Sequence, residues 1–384
     1  MRPSAHLITT IRSLNEESTV LMVNHCDRTD SSSVFALAQA AGEPFYYLSA
    51  RELFDLDFGI RGFLMQGCGA YSVTRGHPED NESKDATISL IAEGKHKLIM
   101  LPEGDVTGRD DDILPLKQDG LRNIFEAQRK KLAGADAQPV YLLPIAFYYE
   151  AQDDAIDPLQ TCLARMERRL ELVAQDYALE ARINRVLNAV ISHFESFYRI
   201  EPAAGASSQA RLRKICKQAA LAIASYARVP ADQNESEDVL LYSVRGAVRK
   251  LPPLDHFYGC NFCDSLDKEK VERVKPCELE LERLQQLLII STTLGEKYFT
   301  LDLAWRLVDR LEQLVLGETS PKGHRIVWME CADPILVSDY FAEYEINSEK
   351  AVKRIEQQVR KSLVSTLQRL KRLAEVVHGA PSKF

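Results

Sequence analysis

Residues Thr19-Val20-Leu21-Met22-Val23 are apolar, rich in β-branched side chains and uninterrupted by glycine or proline. Such a run predicts a buried strand, and it ends at Asn24. His25 then stands at the strand's C-terminal edge, where an α/β sheet opens into its ligand crevice. Four residues separate His25 from Asp30. That spacing lets the carboxylate turn back onto the imidazole, fix its tautomer and leave the other ring nitrogen free to take a proton. The same pair also fits a loop histidine capped by a nearby carboxylate, or two metal ligands.

Three later blocks narrow the reading. Gly69 to Gly76 alternates Tyr71 and Val73 with Ser72 and Thr74, a period-two strand that delivers Arg75 at its end. A guanidinium there could hold a phosphate or carboxylate, or could simply close the strand at the surface. Residues 90–104 read as the end of an amphipathic helix with Gly94 at the left-handed C-cap position. A second buried strand follows over Leu98–Leu101, and then the turn Pro102-Glu103-Gly104. Glu103 reaches the same crevice as His25 if the two strands are parallel neighbours. Val140 to Ile145 is a third apolar strand, and Pro144, which has no N–H to give a ladder, predicts an edge or a strand end there.

Taken in order, these blocks resemble the PlsC-like glycerolipid and lysophospholipid acyltransferases. Asn24, His25 and Asp30 match the family's Asn-His-x-x-x-x-Asp, and Gly69 to Arg75 match its Gly-x-x-x-x-x-Arg. Leu101-Pro102-Glu103-Gly104 match a Pro-Glu-Gly run, Lys117 to Gly120 a Lys-x-x-Gly, and Leu143-Pro144-Ile145 a proline-containing strand. The resemblance spans residues 18 to 150. It implies an α/β acyltransferase sheet flanked by helices, and an O-acyltransferase of the 1-acylglycerol-3-phosphate or glycerol-3-phosphate type. His25 would be the general base and Asp30 its orienting partner, with Asp27 a less well-spaced competitor. Arg75 and Glu103 would position the acceptor, Gly69 and Gly104 would offer backbone N–H groups to the oxyanion, and Lys117 and Pro144 would complete the substrate site. The donor would be acyl-CoA or an acyl carrier protein, the acceptor a lysolipid or glycerol phosphate, and no cofactor or metal is implied.

The chain departs from the family after Gly104. Asp105-Val106 replaces the usual Thr-Arg, so a carboxylate stands where an anion binder is expected. Asp105 would repel an acceptor phosphate, with Arg109, Lys95 or Lys97 as candidates to compensate. Two alternatives follow: an acyltransferase with a non-phosphate acceptor, or a non-catalytic acyl- or lipid-binding protein on the same fold.

The composition, with 45% hydrophobic and 27% charged residues in 384, is that of a globular protein with ample core. No run approaches a membrane span, and Met1 to His6 lacks a signal-peptide apolar core. The expectation is a cytoplasmic protein, soluble or peripheral at the inner face of the membrane. Residues 1–150 carry 15 Lys and Arg against 22 Asp and Glu, which argues against nucleic acid as a partner. Eight cysteines without a secretory leader read as reduced thiols. His256, Cys260, Cys263 and Cys277 form a weak zinc alternative, because a second tight pair is missing.

Beyond residue 150 the pattern turns helical. Gly205 to Ser208 marks a helix start, and helices are predicted over 211–226, 267–294 and 301–316. Arg325 to Cys331 is strand-like and is expected to return to the first sheet. The predicted division is a core over 1–150 and 323–340, a helical insertion over 151–322, and a C-terminal amphipathic helix over 341–384. The basic face of that last helix, from Lys350 to Arg372, reads first as a solvated face and second as a contact for an acidic carrier or anionic headgroups.

Overall fold

A computed structural model describes residues 1–50, 54, 60–73, 81–104, 106–107, 113–134, 138–173, 177–202, 205–249, 264–295 and 299–378. The chain divides into two compact units, one of Met1–Glu150 with Arg325–Ala380 and one of Ala151–His324.

The first unit is built on an eight-stranded sheet. Its strands are β1 (Arg2–Pro3), β2 (Ser18–Val23), β3 (Phe45–Ala50), β4 (Ala70–Val73), β5 (Lys97–Met100), β6 (Val140–Ala151), β7 (Arg325–Cys331) and β8 (Ile335–Leu336). Their order is β1-β7-β6-β2-β5-β3-β4, with β8 on β6. β2 lies at the centre, parallel to both β5 and β6, with Leu21 opposite Ile99 and Leu143. Every residue of β2 is buried, so its lack of hydropathic alternation has a cause: both faces are covered. Val20 and Met22 pack into one core with Leu98, Leu142 and Phe125, while Leu21 and Val23 pack into the other with Leu37, Ile99 and Ile145.

The covering helices are α1 (Ala5–Ser13), α2 (Asp30–Ala41), α3 (Ile60–Gly67), α4 (Asn81–Glu93) and α5 (Gln118–Leu132). Ser4 caps α1 by accepting the Leu7 N–H at 2.9 Å. Gly94 ends α4 with φ +64°, as its position predicts.

Two expectations change, and one strand is added. Pro144 is neither at an edge nor at a strand end; it lies inside β6, opposite Met22. Its carbonyl accepts the Ala332 N–H at 2.9 Å, on the side away from β2, so the N–H it lacks falls beside the β7–β8 connection and costs the β2 ladder nothing. β3 is a strand beyond those that the hydropathic runs predict, and Phe45-Tyr46-Tyr47-Leu48 carries the aromatic signal for it. The terminal helix is not separate from the core. After α12 (Ser338–Ile346), α13 (Ser348–His378) buries Ala351, Ile355, Val359, Leu363, Leu367 and Leu370 in the first unit. The expected strand at 325–331 is β7, between β1 and β6 in the sheet. Bonds from Gln152 to His324 and from Ala332 to Pro144 show that it runs against β6, which brings Arg325 to the edge where β2 ends.

The second unit is helical: α6 (Ile156–Arg169), α7 (Leu179–Phe197), α8 (Ser208–Ala227), α9 (Glu237–Arg249), α10 (Asp264–Thr293) and α11 (Leu301–Leu316) around one apolar core. Ser207 caps α8 at the predicted start. Within this core Lys322 is fully buried, with its ammonium 2.9 Å from Asp309 and 2.7 Å from Glu312. The Ser320 carbonyl accepts a third bond at 2.9 Å, so all three ammonium donors are used.

Candidate active site

The chain leaves β2 under tight control. Asn24 is fully buried and clamps Phe147 of β6 from both sides: Nδ2 donates to the Phe147 carbonyl at 3.1 Å and Oδ1 accepts its N–H at 2.7 Å. His25 is then held through its backbone. Its N–H donates to Glu103 Oε1 at 2.8 Å, and its carbonyl accepts from the Thr107 N–H at 2.7 Å and hydroxyl at 3.0 Å. The imidazole is free to respond only to Asp30, whose Oδ2 lies 2.8 Å from Nδ1. The side chain is 12% exposed, and Nε2 makes no hydrogen bond among the described residues.

Asp30 is the first residue of α2, where the helix N-terminus favours a carboxylate. Its Oδ2 also accepts the Asp27 N–H at 2.9 Å, and its Oδ1 accepts the Tyr149 hydroxyl at 2.6 Å. Burial pushes the Asp30 carboxyl up, against the bonds from His25, Tyr149 and Asp27. Burial and the neighbouring Asp30 push the Tyr149 phenol strongly upward too, so it stays protonated and remains a donor. Ser33 Oγ sits 3.0 Å from the same hydroxyl.

Asp27 does not compete for the histidine. It forms a two-pronged pair with Arg325 at 2.6 and 3.0 Å, and takes the Thr29 N–H and hydroxyl at 2.8 and 2.7 Å. Burial opposes its charge, but the Arg325 guanidinium and these bonds hold the carboxyl below its ordinary value. That guanidinium lies 4.8 Å above the Tyr149 ring. Tyr149 and Arg325 therefore join the site although neither stands out in the sequence. Tyr149 lies five residues past Pro144 in an apolar strand, and Arg325 is 298 residues from Asp27.

Glu103 lies beside His25 because β5 and β2 are parallel neighbours. Both its oxygens are engaged by backbone, Oε1 by His25 and Oε2 by the Leu114 N–H at 2.9 Å. It thus braces the loop instead of facing outward, and burial pushes its carboxyl up to about 7. Gly104 adopts φ +79°, and a Cβ there would strike the Lys117 side chain, ammonium included. The Lys117 N–H donates to the Pro102 carbonyl at 2.8 Å, so a cation rests on the turn next to His25.

Other expected members are elsewhere. Gly69 precedes β4 and packs on the Phe45 carbonyl, at the opposite edge of the parallel strands. The N–H groups of Gly69 and Gly104 donate to the Gln66 and Leu101 carbonyls at 2.9 Å. Lys95 and Lys97 also lie at the far edge, because a helix-to-strand turn delivers residues to a strand's beginning; Lys97 is buried against both Glu43 oxygens at 2.8 Å. Pro144 is buried in β6 on the face of Leu142 and Met22, away from the imidazole. Arg75, Asp105 and Arg109 lie outside the described residues, as do His256, Cys260 and Cys263 of the zinc alternative. Cys277 is buried in the helical core.

One other group could converge on a metal ion among the described residues: His6, Glu330 and Cys331, at the far end of β7. His6 Nδ1 is 3.1 Å from Glu330 and 3.5 Å from Cys331 Sγ. These contacts already satisfy one another, and burial lifts the thiol to about 11, away from the thiolate a metal needs.

A histidine with Nδ1 tied to a buried carboxylate and Nε2 facing outward can accept a proton from a hydroxyl. Residues 6–148 match the model of a family described as Acyltransferase. No curated protein matches the chain.

Proposed function

We propose, on the premise of the acyltransferase-family match over residues 6–148, that the protein moves an acyl group from a thioester to a hydroxyl with His25 as general base. Nε2 takes the acceptor proton as the hydroxyl oxygen attacks the thioester carbonyl. A C–O bond forms and the C–S bond breaks, and the proton passes from His25 to the departing thiolate. Asp30 stabilises the imidazolium between these steps, and Tyr149 and the Asp27 N–H keep that carboxylate aimed. The donor is acyl-CoA or an acyl carrier protein. The acceptor is a lysolipid or a glycerol phosphate, and Lys117, whose side chain lies against Gly104, is a cation on that turn suited to meet a phosphate.

The observation that carries this reading is the 2.8 Å His25–Asp30 contact at the sheet edge, with Nε2 left open. Thiol release from acyl-CoA and acyl carrier protein, measured with glycerol-3-phosphate, lysophosphatidic acid and simple sugars, tests it. Acceptor-dependent release that His25→Ala abolishes is the expected result. Release with sugars alone would replace the phosphate acceptor. Tight acyl-CoA binding without release from any pair would leave a binding protein.

A further inference from the structure

The helix α3 turns an apolar face to water. Ile60, Phe63 and Leu64 are 63%, 76% and 62% exposed, and their i, i+3, i+4 spacing puts them on one stripe. Single exposed hydrophobics are ordinary, whereas three large ones on two turns form a patch. The orientation is built in. Gly62, on the opposite side, sits so close to Phe54 that a Cβ would fall 2.6 Å from its carbonyl oxygen. Met65, on that same side, packs into the core with Phe54. The helix is therefore seated by its glycine with the three hydrophobics facing out, and it has no acidic residue.

We infer that α3 is a membrane-interface anchor, inserting Ile60, Phe63 and Leu64 into the outer part of a lipid bilayer. The size of the patch selects this occupant. Among the described residues the patch is three side chains on an eight-residue helix, far short of the roughly 800 Å² per partner that a stable protein interface buries. A bilayer needs no matching surface and accepts apolar side chains one at a time. Residues 1–150 are acidic overall, so the attraction is apolar, not a charge attraction to anionic headgroups. α3 lies on the crossover between β3 and β4, in the same unit as His25. The benefit to catalysis rests on the proposed acyl transfer to a lipid acceptor; the binding itself does not.

The test is cosedimentation of the full chain with vesicles of phosphatidylcholine and phosphatidylglycerol in equal parts, in high salt. Wild type is expected to bind, and Ile60→Ser/Phe63→Ser/Leu64→Ser to bind about tenfold more weakly or less, with an unchanged circular dichroism spectrum. Phe63→Trp, which keeps an aromatic side chain, should show fluorescence quenching by lipids with brominated acyl chains. Equal binding by the triple variant, no binding by wild type, or an unquenched Trp on bound protein would overturn the anchor. A shift from dimer to monomer in the triple variant would do so as well, by assigning the face to a second copy. Thiol release with a water-dispersed acceptor is measured in parallel, so loss of the anchor and loss of the acyl-transfer reading give different results.

Discussion

The Tyr149 hydroxyl donates to Asp30 Oδ1 at 2.6 Å, from the side of the carboxylate opposite His25. One oxygen of Asp30 thus serves the imidazole and the other is held by a phenol that burial keeps protonated. The carboxylate is oriented from β6 as well as from its own helix.

Tyr149→Phe removes this donor and leaves Asp30 Oδ1 buried. The expected cost to stability is about 1–3 kcal/mol by urea unfolding. As Tyr149 positions the pair without touching substrate, kcat should fall about tenfold or more at unchanged KM. An equal fall in kcat/KM arising wholly from KM would show that Tyr149 acts elsewhere.

Substitution within the pair should separate base from orienter. His25→Ala is expected to lower kcat by about 10²–10⁴-fold. Asp30→Asn presents an amide to Nδ1 and favours the wrong tautomer, with a loss of about 10⁴-fold and little change in acyl-CoA binding. Steady-state kinetics alongside equilibrium binding of the donor distinguishes these effects from loss of the pocket.

Arg325→Ala strands Asp27 in a buried position. A loss of about 3–5 kcal/mol is expected for the first unit. The folded Asp27 carboxyl is depressed, so its contribution is present above the unfolded value and is lost as pH falls through the folded one. Acid unfolding of wild type should therefore steepen below pH ~4, and Arg325→Ala should flatten that segment of the curve.

In the helical unit the depressed group is Glu312. Burial works against its charge, but bonds from Lys322 and Ser320 bring its carboxyl down to about 2. Its folded value lies below the unfolded one, so it stabilises fully above pH ~4.3 and loses that contribution on the way down to about 2. Lys322→Met leaves Asp309 and Glu312 without their shared cation. A loss of about 3–5 kcal/mol at neutral pH, read by thermal or urea unfolding, is expected.

Gly104→Ala forces a side chain into φ +79° and against Lys117. The strain of about 1–2 kcal/mol should appear in stability, and displacement of the Lys117 ammonium should raise KM for a phosphate-bearing acceptor. Unchanged KM for such an acceptor would remove Lys117 from the acceptor site.

Much of the candidate site was legible because its parts are local. His25 and Asp30 meet through one loop and the first residue of a helix. Glu103 reaches His25 because two short apolar runs became parallel neighbours, which burial on both faces favours. Gly94 and Ser207 were readable as caps because their geometry depends on a few adjacent residues. The failures have the opposite character. Lys97 looked available for a phosphate, yet it faces Glu43 at the far edge, because sequence order does not say which end of a sheet a charge occupies. Glu103 reads as a substrate contact from the sequence, and only the structure adds the two backbone N–H groups that its oxygens accept.

By itself the sequence determined the alternation of buried strands and helices, the strand-end placement of His25 and the local turn that offers it Asp30. These follow from hydropathic pattern and short spacing, which act along the chain. The tertiary structure alone decided that Pro144 sits inside a strand, that Tyr149 holds the far side of Asp30, and that Arg325 claims Asp27 across 298 residues. Those outcomes depend on which strands become neighbours and in which direction they run. Partners so distant in the chain are joined by packing and by the need to satisfy every buried charge, and no local pattern encodes them.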